Sequence, residues 1–190
     1  MRKIPNLVAL VPCVLALACT DANKAPAEAA LKSAEAALAS LGPDASKYAA
    51  EGVAEVRKSY ATAKELVGTK EYEGALKVAS KIPGKVSEVV AAASAKKAEL
   101  VKDWGEASAK VTATVSAIKD RLATLEKGKR LPAGIDKAVI ARAHEGIADV
   151  ESGIARLAED VKGGMLNEAL AGAKALQAKG EAIMKSLGSP

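Results

Sequence analysis

The chain has 190 residues, 49% of them hydrophobic and 27% charged, a composition that suits one compact domain or two small helical units folding in water. Alanine is the commonest residue and aromatics make up only 2%, which favours helix and predicts a thin core of small side chains. The formal net charge of +5 is spread over interleaved lysines and carboxylates, so we expect no nucleic-acid binding, which needs clustered basic residues with stacking aromatics.

The first 19 residues, MRKIPNLVALVPCVLALAC, have the pattern of an export signal. Two basic residues, Arg2 and Lys3, precede an apolar run that ends in the small residues Ala16 and Ala18. Because this run is short and is interrupted by prolines, it is a poor permanent membrane span. We therefore expect residues 1–18 to be a signal peptide that is removed.

The motif LALAC, which ends at Cys19, resembles the lipobox of bacterial lipoproteins. The resemblance implies a diacylglycerol on the sulfur of Cys19, cleavage after Ala18 and acylation of the new amino group, for example with palmitate. The attack on the lipid donor requires a thiolate, which only cysteine supplies. The commonest lipobox has leucine where this chain has Ala16. Export through a different peptidase, with Cys19 left as a free thiol, is the alternative.

The residue after the cysteine, Thr20, bears on the location of the protein. Lipoproteins of the kind that the motif resembles usually carry aspartate there when they stay in the inner membrane. We therefore expect attachment to the outer membrane, facing the periplasm, and several acyl chains would make that anchor stable. Residues 19–26 are expected to form the lipidated N-terminus and a short flexible linker.

Helical periodicity follows from residue 27 to the end of the chain. Gly42-Pro43-Asp44 and Gly68 are the predicted ends of the first two helices, and a third is predicted to begin near Lys70. Pro83-Gly84 is predicted to break or kink the chain after it. The three helices have these apolar stripes: Ala27, Leu31, Ala34, Leu38 and Leu41, then Ala49, Val53, Val56, Tyr60, Ala63 and Val67, then Tyr72, Ala75, Leu76, Ala79 and Ile82.

A longer apolar stripe predicts one helix from about residue 84 to 127 that passes through Gly105, although an interior glycine costs about 1 kcal/mol. After the loop GKRLPAG, two more helices are separated by Gly163-Gly164. Alternating steps of three and four with short links predict an all-α, elongated, antiparallel bundle of about five to six helices with coiled-coil-like packing. We expect a first helical unit at 27–100 and a second at 101–190 that share the long helix. An amphipathic stripe lying on a membrane surface is the alternative arrangement.

The chain contains an internal duplication, because residues 49–79 align without gaps onto 143–173. Eleven of the 31 positions are identical, whereas chance in so alanine-rich a chain gives about a tenth. The break at Thr69-Lys70 aligns with Gly163-Gly164, which shared composition alone does not explain. We infer two related helical-hairpin units.

The stretch from Lys47 to Pro83 resembles an alanine-rich helical domain of unknown function that occurs in short envelope lipoproteins of Gram-negative bacteria. In that domain a helix with Ala-x-x-Tyr-x-x-Ala precedes a short turn, and an aromatic residue, here Tyr72, begins the next helix. The pattern is also similar to half of a tetratricopeptide repeat, although Pro83 comes too early for that repeat. The resemblance covers roughly residues 25–100 and implies an envelope role without an activity.

No catalytic or metal-binding pattern emerges from the sequence. The one histidine, His144, is followed by Glu145 but lacks the HExxH spacing, so we interpret it as a helix-surface residue. The carboxylates alternate with lysines at helix-surface spacing, which is a structural pattern. We therefore expect a non-catalytic protein that needs no metal or other cofactor.

Four aromatic residues form the candidate interaction patch: Tyr48, Tyr60, Tyr72 and Trp104. The tyrosines are spaced by 12, so they could meet at one end of a hairpin, but completion of the core is the more frequent role of such tyrosines. Two functions stay open. One is a lipid-anchored periplasmic scaffold or interaction protein with envelope protein partners, and the other is a repeat-like module that binds a peptide or an envelope glycan.

Overall fold

The computed structural model describes residues 21–128 and 130–188, and the predicted signal peptide and Cys19 lie outside this part. The protein is all-α, as predicted, and no strand occurs in the described ranges. Those ranges contain six helices of at least eight residues and one short helix of six residues. The helices are α1 (Lys24–Ala39), α2 (Pro43–Tyr48), α3 (Ala50–Gly68), α4 (Tyr72–Ala79), α5 (Ile82–Lys127), α6 (Lys137–Lys162) and α7 (Leu166–Ser186).

Local chemistry accounts for several helix ends. Gly42 precedes α2 with an extended backbone, and Pro43 occupies the first turn, where a missing N–H costs nothing. Asp136 caps α6, because its carboxylate accepts a hydrogen bond of 2.8 Å from the N–H of Val139. The short helix α2 was not anticipated as a separate element, and it ends where Ala49 leaves the helical region at φ −140° and ψ 42°.

The predicted break at Pro83-Gly84 occurs three residues earlier than expected. Helix α4 ends at Ala79, and α5 begins at Ile82, so Pro83 lies in the first turn of α5. A proline is tolerated in that turn because the first amides of a helix have no intrahelical acceptor. From there α5 continues through Gly105 to Lys127, as the apolar stripe predicted.

The described residues form two compact units, each built from two stretches of chain. Unit 1 comprises residues 21–40 and 54–86, and unit 2 comprises 41–53 with 87–128 and 130–188. The predicted boundary between residues 100 and 101 falls within α5. The contacts instead divide the chain after residues 40, 53 and 86.

Unit 1 has a core of small side chains, as the composition predicted. Helix α1 packs on α4, and the alanines between them are fully buried. Because alanine buries little area, such a core stabilises through the close approach of helix axes rather than through large side chains. The buried apolar residues of this unit are Ala27, Ala34, Val56, Ala63, Ala75, Ala79, Ile82 and Val86.

Unit 2 has the larger core, in which α6 packs on α7 and the second half of α5 completes the cluster. Helices α5 and α7 run parallel, since Thr114 bonds to Gln177 and Arg121 donates to the carbonyl of Leu187, 3.1 Å away. The buried members of the cluster are Val111, Val115, Ile118, Leu122, Leu125, Ile135, Ala143, Ile147, Val150 and Leu187.

Candidate interaction surfaces

The two turns at the centre of the duplication have the same backbone geometry. Lys70 has φ 65° and its counterpart Gly164 has φ 80°, both in the left-handed region. The N–H of Lys70 donates to Val67 at 3.2 Å, and that of Gly164 donates to Val161 at 2.9 Å. The N–H of the next residue, Glu71 or Met165, donates over 2.8 Å to the carbonyl five residues earlier, which is that of Leu66 or Asp160. This is the Schellman pattern that ends a helix, and it occurs in both copies at a shift of 94 residues.

The repeat extends beyond the predicted residues 49–79 and 143–173, because contacts further along the chain correspond at the same shift. A Cβ added to Gly52 would lie 2.8 Å from Cγ2 of Val89, and one added to Gly146 would lie 2.7 Å from Cδ1 of Ile183. Each glycine therefore allows two helices to approach within van der Waals distance. The structural repeat thus reaches at least residue 89 in the first copy.

An ion pair also recurs between the copies. Glu55 pairs with Lys85 in unit 1, and Asp149 pairs with Lys179 at 2.8 Å in unit 2. The hydrogen bond and charge of Lys85 lower the pKa of Glu55, and those of Lys179 lower the pKa of Asp149. All four side chains are exposed enough for water to screen them, so the pairs contribute little stability.

Corresponding grooves lie beside these pairs and differ in chemistry. In unit 1 a groove of 180 Å³ is lined by Ser59, Val78 and Ile82 together with Lys77, Lys81 and Lys85. In unit 2 a groove of 350 Å³ is lined by four residues that correspond to Ser59, Val78, Lys81 and Ile82 of unit 1. In the same order they are Gly153, Gly172, Ala175 and Leu176. Arg156, Leu157 and Asp160 complete its lining. Lys77 and Lys81 of the first copy therefore correspond to Ala171 and Ala175 of the second, whereas Lys85 corresponds to Lys179.

Sequence analysis did not identify this row of lysines as a site. The four-residue spacing of Lys77, Lys81 and Lys85 was visible in the sequence, but Pro83 interrupts the helix pattern between them. Because the helical register survives the break between α4 and α5, all three side chains line one groove. The spacing itself was the signal that could have found them.

A wider groove of 470 Å³ lies between α5 and α7 in unit 2. Its floor includes Ala107, Leu170 and Ala173, and its lysines, Lys110 and Lys174, make no ion pair within the described part of the chain. The remaining lining residues are polar or charged: Asp103, Glu106, Gln177 and Glu181. Polar rims around a narrow apolar floor suit an extended polar chain better than a small apolar ligand.

The structure divides the predicted aromatic patch between the two units. Tyr48 belongs to unit 2, where its hydroxyl donates to the carbonyl of Gly164 over 3.1 Å. Tyr60 and Tyr72 belong to unit 1, and both are half-buried on α3 and α4. Trp104 is half-buried on α5. Tyr48 thus ties α2 to the turn before α7, and none of the four lines the grooves described above.

His144 lies on the surface of α6, as predicted. Its Nε2 is 2.8 Å from a carboxylate oxygen of Glu126 on α5, and its side chain is 55% exposed. Within residues 21–128 and 130–188, no group of three or more histidine, cysteine or carboxylate side chains could hold a metal ion. In the same ranges, no helix is both long and apolar enough to cross a bilayer.

No protein-family model, curated protein or solved structure matches the chain.

Proposed function

We propose that the protein is a lipid-anchored helical scaffold or interaction protein of the bacterial cell envelope, without catalytic activity of its own. The observation that carries the proposal is the N-terminal sequence, in which a basic start, an apolar run and small residues lead directly to Cys19. This arrangement supplies the one nucleophile that lipid attachment needs, followed at once by the helical part.

The architecture is consistent with that role. Two helical-hairpin copies present several grooves and long exposed helix faces, and interaction proteins built from helical repeats bind partners through such faces. We propose the periplasmic face of the outer membrane as the location, on the identity of Thr20.

The experiment that tests the proposal is mass spectrometry of the mature N-terminus from the native host. The expected result is a chain that begins at Cys19 and carries acyl chains, and that stays with the membrane fraction in high salt. Cys19→Ser is expected to leave an uncleaved or soluble form, whereas Cys13→Ser is the matched control, because that cysteine is removed with the signal. A wild-type chain that begins at Met1, or that carries no acyl mass, would refute the anchor.

The α5–α7 groove favours a second candidate function, a module that binds a peptide or an envelope glycan. Its charged rims and its narrow apolar floor offer hydrogen bonds and ion pairs to an extended polar chain. Crosslinking in intact cells distinguishes the two functions. If the protein is a scaffold, we expect it to crosslink to folded envelope proteins. The second candidate function requires crosslinks from position 106 or 174 to a peptide or a glycan.

A further inference from the structure

We infer that Lys77 and Lys81, two members of the lysine row of unit 1 (Lys77, Lys81 and Lys85), contact anionic phospholipid headgroups of the membrane that holds the lipid anchor. This inference rests on the anchor proposed above. The three lysines line a single groove with the hydroxyl-bearing Ser59, over a floor of Val78 and Ile82.

Charge is the first argument. Glu55 neutralises Lys85, but Lys77 and Lys81 form no ion pair with any other described residue. Both of these side chains belong to exposed residues, so their ammonium groups are available to a ligand. The two free ammonium groups line the same groove, and basic side chains clustered in this way are attracted to an anionic lipid surface.

The duplication provides the second argument. The pair Glu55–Lys85 has its counterpart in Asp149–Lys179, so this pair belongs to the shared architecture. The counterparts of Lys77 and Lys81 are Ala171 and Ala175, so the two unpaired lysines are specific to the first copy. A structural role common to both hairpins therefore does not account for them.

The position of the anchor is the third argument and indicates the ligand. Cys19 precedes the first residue of α1, Lys24, by five positions, and five residues span at most about 17 Å. Helix α1 packs on α4, which carries Lys77, within the same compact unit. A lipid on Cys19 would hold unit 1, which contains Lys77 and Lys81, near the bilayer, where each lysine gains about fivefold in partitioning toward an anionic surface.

Lysine acylation on vesicles tests the inference with the protein purified from its host. The mass of the N-terminus is measured first, and the protein is then incorporated into vesicles of phosphatidylglycerol or of phosphatidylcholine. A water-soluble acylating reagent is added, and the modification rate of each lysine is followed by peptide mass spectrometry. On phosphatidylglycerol we expect Lys77 and Lys81 to react about fivefold more slowly than on phosphatidylcholine, with the difference lost at 1 M salt. Lys110 and Lys174 are exposed and lie outside this groove, so their change in rate between the two lipids measures the general effect of surface charge, with which the change at Lys77 and Lys81 is compared.

Variants sharpen the test. Lys81→Ala, which installs the residue of the second copy, should weaken the protection of Lys77, whereas the matched control Lys174→Ala should leave it unchanged. Equal rates on the two lipids, or equal protection of Lys110 and Lys174, would overturn the inference while leaving an acylated N-terminus intact. Protection by inorganic phosphate without vesicles would assign the row to free anions and overturn it as well. An N-terminus without acyl chains would overturn both proposals.

Discussion

Replacement of Gly52 by alanine tests whether the close approach of α3 and α5 depends on the missing side chain. The new Cβ would lie 2.8 Å from Cγ2 of Val89, whereas carbon atoms in contact are about 3.5–4.0 Å apart. Valine has essentially one χ1 rotamer in a helix, so Val89 cannot turn away and the backbones must separate. Overpacking of this kind costs about 1–3 kcal/mol, and the better helix propensity of alanine returns about 1 kcal/mol.

We therefore expect Gly52→Ala to lower the free energy of unfolding by about 1 kcal/mol. Gly105→Ala is the matched control, because a Cβ there meets nothing within 4 Å, and it should raise stability by about 0.5–1 kcal/mol. Urea denaturation followed by helical circular dichroism measures both. In the double variant Gly52→Ala with Val89→Ala, the clash is absent. Its loss in free energy of unfolding should therefore be smaller than the sum of the losses of the two single variants. If Gly52→Ala stabilises the protein as much as Gly105→Ala, the reasoning is wrong.

Three further predictions concern the repeated features. Lys70→Gly should stabilise the protein by about 1 kcal/mol in thermal unfolding, because Lys70 has the left-handed backbone that its counterpart Gly164 adopts without strain; no gain would contradict the assigned turn geometry. Tyr48→Phe should destabilise by about 1 kcal/mol through loss of the bond to Gly164, and an unchanged midpoint would show that this bond contributes nothing. The pair of Glu55 and Lys85 should make stability depend on pH. Since the folded pKa of Glu55 is lowered, the small contribution is present at neutral pH and is lost as pH falls through that pKa. The free energy of unfolding of Lys85→Ala should therefore be slightly below that of wild type at pH 7, and this difference should shrink well below pH 4.5.

The helices could be predicted because their apolar spacing and their breakers agree. Gly163-Gly164 separates α6 from α7 where the sequence indicated, and α5 continues through Gly105, with the buried stripe residues Leu100 and Val111 on either side of it. The break at Pro83 was misplaced, since a proline in a first turn marks the start of a helix rather than the end of the one before it. Helix α2 was missed because six residues carry too little periodicity to be seen.

The surfaces were harder to predict than the helices. The sequence showed that Tyr48, Tyr60 and Tyr72 are evenly spaced, but equal spacing does not determine which compact unit each residue joins. The hydrogen bond of Tyr48 connects residues 116 positions apart, and local patterns contain no information on such a pairing. The lysine row, in contrast, depends only on helix register, and it could have been found by comparing the two copies position by position.

The location of Pro83 has a consequence for local opening of the first hairpin. Proline has no amide hydrogen, so Pro83 cannot donate a hydrogen bond to the carbonyl of Ala79, four positions earlier. The counterpart of Pro83 in α7 is Gln177, whose backbone has an amide hydrogen. Helix α4 is consequently an eight-residue segment that can fray separately from α5, while the 21 residues of α7 form an uninterrupted ladder. Amide protons of α4 would thus exchange with deuterated water through small, frequent openings, and those of α7 only through a larger cooperative one.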